Sequence, residues 1–338
     1  MDSLSPWSNS LEEESMVQDA DHGARKLVLA HGRDQARSMM APEQRGLIDI
    51  AAEVLGDEAG KIGITYTGFC LTGLPHKRLS DEQVWEKRGH RVVLMIEPGR
   101  LRRGMGQAKL YGVPYGARAR MILLYLQTQA VRTNSCEVEL GRSMREWLGR
   151  MGLTWGGETG RALREQAARI AACSLKFSWE NQMASGWEAG RFVRSGLRFQ
   201  RAVEDAGGPQ GDLWEDRVVL DEVFYQALRQ HPVPLRETAL RELSGLSVSL
   251  DIYIWLAYRL HTLKAPTPVR WAALKEQFGL GYAEMHTFRR DFKRWLAPAV
   301  AAYSEARVEV ADDGVILYPS RPPVGPKLVA LGGLALPE

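Results

Sequence analysis

Cysteine is scarce in this chain: Cys70, Cys136 and Cys173 are the only three in 338 residues, and no two form a CxxC pair. That spacing argues against a disulfide framework and against a zinc site, and it suits a reduced, cytoplasmic setting. Long apolar runs are missing as well. No stretch approaches the ~20 residues that span a bilayer, and the opening MDSLSPWSNSLEEES is acidic and polar, unlike a secretory signal, so no membrane partner is expected. Charge of one sign is not in excess either. With 44 Lys and Arg against 41 Asp and Glu, the net charge is only +3, so any surface for a polyanion must come from segregated charge.

Catalytic signatures are also lacking. The Gly-rich stretches GMGQAKL and GGETGRAL do not end in the Lys-Ser/Thr of a phosphate-binding loop. The seven histidines contain no His-x-His pair of the kind that accompanies a nicking tyrosine. Nucleophile motifs of the GxSxG or caspase type are absent, and acidic pairs such as Glu12 with Glu14 or Asp312 with Asp313 fall in a tail and a turn. The expectation is a binding protein and not an enzyme, with no catalytic residues, no metal and no cofactor.

What the chain does have is enough apolar material for a core, 45% hydrophobic against 25% charged, and a length that suits two compact domains. Residues 1–60 read as a flexible or partly helical arm without sustained periodicity. From Lys61, IGITYTGFCLTGLPHKRL and RVVLMIEPG alternate or are β-branched between Gly and Pro, the language of strands. YGVPYGARARMILLYLQTQAVRT then puts Met121, Leu124, Tyr125 and Thr128 at helical spacing. CEVEL follows as a short strand, RSMREWLGRM as a helix ending at Gly152, GETGRALREQAARIAAC as a third helix, and LKFSWE with GRFVRSGLRFQ as a strand and its return.

Helix, short strand, helix, turn, helix and β-hairpin is the order of a winged helix. The order then repeats. After a Gly-rich acidic linker, AVEDAGGPQGD, the segments DEVFYQALRQ and LRETALREL read as helices around HPVP. SLDIYIWLAYRLHTL, PTPVR, WAALKEQFG, AEMHTFRRDFKRWLAPAVAAY and ARVEVADDGVILYP supply the second set, with an Asp-Gly turn expected at Asp313 and Gly314. The fold expected is α+β, mostly α, with two winged-helix domains in tandem behind a small β-containing segment. The boundaries expected are 61–200 for the first domain, 201–214 for the linker, 215–322 for the second domain and 323–338 for a flexible tail.

In a helix-turn-helix the last helix enters the major groove, so its apolar stripe must hold the domain while the other stripe meets DNA. At about 100° per residue, Leu163, Ala167 and Ile170 form the inner stripe of the first such helix, and Arg161, Arg164, Glu165 and Arg169 point away. In the second, Met285, Phe288, Phe292, Trp295 and Leu296 make the stripe. His286, Arg289, Arg290, Lys293 and Arg294 are spread over the rest, interrupted by Asp291. Lys176, Arg191, Arg194 and Arg198 flank the first wing as candidate phosphate contacts. Arg118 and Arg120, at the start of the first helix, and Arg100, Arg102 and Arg103 before it are candidates for backbone contact. Glu309, Asp312 and Asp313 make the second wing acidic, and its tip would repel phosphate. The tryptophans Trp147, Trp179, Trp255 and Trp295 sit at core spacing.

GFCLTGLPHKRL, RVVLMIEPG, GVPYGARARMILLYLQTQAVRT, VELGRSMREWLGRMGL, HPVPLRETALREL, LDIYIWLAYRLHTL and WAALKEQFG together resemble plasmid-encoded replication initiators of the RepA type, over about Ile62 to Pro323. The resemblance implies a protein that binds repeated sequences in double-stranded origin DNA, helps melt a neighbouring AT-rich segment and recruits host replication proteins such as a helicase. By analogy with other theta-type initiators it implies a monomer acting on direct repeats and a homodimer that represses its own promoter. A winged-helix transcriptional regulator without a replication role is the alternative.

Overall fold

A computed structural model describes residues 8–102, 106–154, 156–179, 190–195, 199–200, 213–214 and 217–325. The fold is mixed α+β, and its contacts divide into two units. One is residues 61–247; the other is built from both ends of the chain, 1–60 with 248–325. Two helices come first, α1 (Ser8–Met39), interrupted at Gly32 where φ is 74°, and α2 (Arg45–Leu55).

Residues 61–247 then give β1 (Ile62–Tyr66), α3 (Thr67–Leu71), β2 (Trp85–Gly89), β3 (Val92–Glu97), β4 (Gly99–Arg102), β5 (Ala108–Tyr111), α4 (Gly116–Arg132), β6 (Glu137–Glu139), α5 (Met144–Arg150) and α6 (Gly157–Ala172). They continue with β7 (Ser174–Trp179), β8 (Gly190–Arg191), β9 (Val193–Ser195), β10 (Phe199–Gln200), β11 (Leu213–Trp214), β12 (Arg217–Leu220), α7 (Glu222–Gln230), β13 (Pro232–Arg236) and α8 (Glu237–Glu242). The helix α4 is buried nearly all round from Ala119 to Thr128, including all four residues of the stripe legible in the sequence. Its polar residues close an open sheet edge. Strand β1 pairs with β13 on one side, and on the other Gln127 Oε1 accepts the Tyr66 N–H at 2.7 Å while Thr128 Oγ1 accepts the Ile64 N–H at 2.8 Å. Buried backbone donors must find such partners, and here side chains supply them.

Helix α5 is capped at both ends. Ser143 Oγ accepts the Glu146 N–H at 3.2 Å, and the Glu146 carboxylate accepts the Arg142 N–H at 2.8 Å, close to a capping box. At the far end Gly152, with φ 70°, lets Leu153 N–H reach the Leu148 carbonyl at 2.8 Å, so the helix stops where the sequence puts its glycine.

Several strands pair otherwise than expected. GFCL, read as strand, is the helical turn α3, and Gly68 there is needed because a Cβ would lie 2.6 Å from the Phe177 ring. HPVP, read as a break between helices, and Leu235 with Arg236, read as the start of the helix after it, supply strand β13 from Pro232 on, and its two prolines are tolerated because the strand has one neighbour only. The expected first wing does not stand free. β7 is an inner strand of the sheet β2-β3-β7-β8, paired along its length with β3 and through Ser174 and Leu175 with β8. The return segment then crosses to another sheet, where β9 pairs with β12 in the order β6-β12-β9. Apart from Leu213 and Trp214, the expected linker 201–214 lies outside the described residues. Residues 217–247 belong with the first unit and not with the second domain the sequence suggested.

The other unit adds α9 (Ser247–Arg259), β14 (Thr267–Arg270), α10 (Trp271–Phe278), α11 (Met285–Ala301), β15 (Val308–Ala311) and β16 (Gly314–Leu317) to α1 and α2. Every one of these six falls where the sequence pattern puts it. The sheet order is β14-β16-β15. The hairpin turn is one residue earlier than expected, at Asp312 and Asp313, because Ala311 and Gly314 already pair. Gly314 is required by β14, since a Cβ there would lie 2.0 Å from the Val269 carbonyl oxygen. The described part of the N-terminal arm is helical: Ala24, Ala36, Ile48 and Ala51 form a buried cluster between α1 and α2, and both helices pack on α11. Of the expected tail, Val324 is buried and residues from Pro326 lie outside the described residues.

Candidate nucleic-acid interface

Helix α11 separates its two faces cleanly. Phe288, Phe292 and Leu296 are buried, and Met285 and Trp295 flank them half-buried. Around Phe288 and Phe292 the rings of Trp271, Phe278, Tyr282 and Trp295 meet mostly edge to face, with centroids 5.6–6.5 Å apart. Such contacts lock the helix axis. On the opposite side His286, Arg289, Arg290 and Arg294 are exposed and Lys293 half-buried.

Two of these arginines are pre-oriented. Arg289 lies over the Trp271 ring at 5.6 Å, and Trp271 donates its indole N–H to the Asp312 carbonyl at 2.8 Å, tying the helix face to the hairpin turn. Arg290 Nε donates to Asp291 Oδ1 at 3.0 Å, and the other oxygen, Oδ2, accepts the Tyr282 hydroxyl at 2.9 Å. The hydrogen bond from Arg290, then that from Tyr282, holds the Asp291 carboxyl below its ordinary range, while burial, followed by the Asp291 bond, pushes the Tyr282 phenol up. The carboxylate that seemed only to interrupt the basic face is therefore the bracket between that face and the turn preceding it. Lys275 pins the same turn by donating to the Ala283 carbonyl at 2.8 Å. Sequence reasoning passed over Tyr282 and Trp271, whose one signal was aromatic spacing.

The acidic hairpin of this unit is short. Arg270, Gly314 and Ala311 stand level across the three strands, so only Asp312 and Asp313 reach beyond them, both exposed, while Glu309 is occupied by the Tyr318 hydroxyl at 2.6 Å.

Helix α6 is different. Leu163, Ala167 and Ile170 are buried as the stripe requires, Arg161 is exposed and Arg164 half-buried. Arg169 is not available to a ligand: it is 2% exposed, pairs with Asp81 at 2.8 Å and Glu165 at 3.1 Å, donates to the Val113 carbonyl at 3.2 Å, and lies over the Tyr115 ring at 5.2 Å. Its position falls on the flank of the helix that meets the 75–84 loop, where an unpaired cation would be costly. Burial opposes ionisation of Asp81, yet the Arg169 hydrogen bond and charge outweigh it and keep that carboxyl below its usual range. Arg120 is likewise internal, 5% exposed, donating to the carbonyls of Leu74 at 2.7 Å, Gly116 at 2.9 Å and Pro75 at 3.2 Å. Arg118 is half-buried.

The candidates around the expected first wing are not brought together. Lys176, on the inner strand β7, is 3.1 Å from Glu97, whose carboxyl is held low by the Ser174 hydroxyl and then by Lys176 itself. Arg191 and Arg194 are exposed on β8 and β9, which belong to two different sheets. Arg198, like Arg103, lies outside the described residues. Among the described residues, no group of His, Cys, Asp and Glu is arranged to hold a metal ion, and no helix is long and apolar enough to cross a membrane.

With this geometry in view, the class is a mixed α+β protein whose candidate site is a basic helix face. Residues 113–273 match the model of the family described as "Plasmid encoded RepA protein", a span from the approach to α4 into the start of α10. The likeness to plasmid-encoded RepA proteins, legible in GVPYGARARMILLYLQTQAVRT and LDIYIWLAYRLHTL, is thereby shown over that span. A crystal structure of domain2 and domain 3 of RctB is similar at 16% identity and TM-score 0.41, covering 68% of this chain and 82% of that one. A second, of RctB domains 2-3, is similar at 14% identity and TM-score 0.42, covering 73% of this chain and 93% of that one. No curated protein sequence matches the chain.

Proposed function

We propose that the chain is a plasmid replication initiator that acts by binding, not by catalysis, and that recognises double-stranded origin DNA in a sequence-specific way. The observation that carries this reading is α11: its aromatic stripe is buried while His286, Arg289, Arg290 and Arg294 are exposed on one helix, preceded by a turn from α10. The order helix, strand, helix, helix and hairpin, with the third strand between the other two, supports reading this portion as a winged helix with α11 as its recognition helix. The family likeness supports the replication role. In the 61–247 unit, α4, α5 and α6 form the corresponding helices around a differently paired sheet, and Arg161 with Arg164 are the groove-facing candidates. Melting of an adjacent AT-rich segment, recruitment of a host helicase, and a homodimer that represses its own promoter complete the proposed cycle. The working compartment is the cytoplasm.

Arginine pairs bidentately with guanine O6 and N7, each such pair contributing about 1–3 kcal/mol of discrimination. Arg290→Ala with Arg294→Ala is therefore expected to weaken binding to origin repeats more than tenfold while changing binding to random duplex far less. Titration of labelled duplexes at several salt concentrations reads both. Equal affinity of the native protein for repeats and random DNA at every salt would sink the proposal. A replication assay with the gene and its flanking repeats separates an initiator from a winged-helix regulator, which would bind yet sustain no replicon.

A further inference from the structure

Strands β4 and β5 carry Arg100, Arg102 and Lys109, and the sequence from Gly99 to Tyr111 holds no acidic residue. Their register sets Arg100 opposite Leu110 and Arg102 opposite Ala108 on one face, and Leu101 opposite Lys109 with Tyr111 opposite Gly99 on the other, so the two arginines alone supply the charge of the first face. The Leu101 and Tyr111 face packs on Ala168 and Ala172 of α6. At about 100° per residue those two alanines lie within roughly 20° of Arg161, on the outward stripe and not on the inner one. The hairpin therefore covers the second half of the helix face whose first half carries Arg161 and Arg164.

We propose that β4–β5 is a second nucleic-acid contact of the 61–247 unit, a basic ribbon that meets backbone phosphates at the rim of the groove entered by the first half of α6. Arg100 and Arg102 are exposed, and among the described residues Arg100 is engaged only by donating to the Ala108 carbonyl at 3.3 Å. Neither has a carboxylate partner among the described residues, unlike Lys176 and Arg169. Seven to eleven residues of helical rise separate Arg161 from Ala168 and Ala172, roughly 10–17 Å. That distance matches the passage from the floor of a major groove about 12 Å wide to its flanking backbone. Glu165, the acidic residue on the same stripe, is held by Arg169 and lies 3.8 Å from Arg78, so its charge is offset where the ribbon approaches. The inference rests on the reading of the chain as a double-stranded DNA binder.

The test measures the salt dependence of binding to origin repeats and to random duplex for four proteins: the native chain, Arg100→Ala/Arg102→Ala, Arg100→Lys/Arg102→Lys, and the charge-matched control Lys61→Ala/Arg88→Ala. Loss of two phosphate contacts flattens the slope of log K against log salt by about 1.8. The alanine pair should show that flattening on both duplexes with the ratio between them unchanged, the lysine pair should restore the slope, and the control should keep it. An alanine pair with the native slope, or a control that flattens as much, overturns the ribbon. A native protein that binds both duplexes equally overturns the initiator reading instead, and the slope on random duplex still decides the ribbon. A native protein that binds neither overturns both.

Discussion

Asp291 holds a position that a tally of charge would count against DNA binding, yet its two oxygens orient Arg290 and anchor Tyr282 at the turn. Replacing it with Asn removes a negative charge from the face proposed to meet DNA and loosens the arginine at the same time. The expected outcome is stronger binding to random duplex with a specific-to-random ratio lower by up to about tenfold, read by competition titration. Because the folded-state pKa of Asp291 is lowered, its contribution is present above the ordinary carboxyl value of 3.8 and lost as pH falls through the depressed one. Asp291 should therefore contribute no change in the ratio across neutral and mildly acidic pH. Arg120 makes the reverse case. Sequence position offered it to the DNA backbone, but three carbonyls enclose its guanidinium. Arg120→Ala should lower stability by about 1.5–3 kcal/mol in chemical denaturation, the scale of hydrogen bonds to a charged group, with no change in the salt slope of DNA binding. Which arginines of a helical wheel face solvent depends on what other segments lie against that helix.

Among the elements, β1 shows how a two-stranded sheet survives in an interior. Its free edge is closed by Gln127 and Thr128 of α4 instead of a third strand. Gln127→Leu would leave the Tyr66 N–H buried without an acceptor, and a loss of about 1–3 kcal/mol is expected in denaturant titration. The helices and the hairpin of the 248–325 portion were legible because their signals are local: amphipathic period, a Gly-rich turn, and alternation across Asp312 and Asp313. The strand β7 was legible as a strand, through Leu175 and Phe177, but not as an inner strand. Its neighbour β3 lies far off in sequence and β8 begins only at Gly190, and alternation says nothing about partners. For that reason Lys176 looked like a wing residue and is an ion-paired residue within a sheet.

For the molecule as a whole, the unit carrying α11 is assembled from the two ends of the chain. Ile48, fully buried on α2, sits in the cluster that packs with α1, and both helices lie against α11. Ile48→Ala should lower stability by about 2–5 kcal/mol. Hydrogen exchange should report the loss at α11 while the strands β2, β3 and β7 keep their protection. An effect confined to α1 and α2 would argue that they do not support α11. The sequence by itself determined the element types of the 248–325 portion, the cap at Gly152, the aromatic stripe of α11 and the basic face opposite it, since each depends on neighbours within a few positions. Tertiary structure alone decided that the N-terminal helices complete the unit at the other end of the chain, that β7 is an inner strand, that Arg120 and Arg169 are internal, and that a basic hairpin covers half of α6. Those outcomes come from apolar surfaces that meet across long sequence separations, which residue periodicity does not encode.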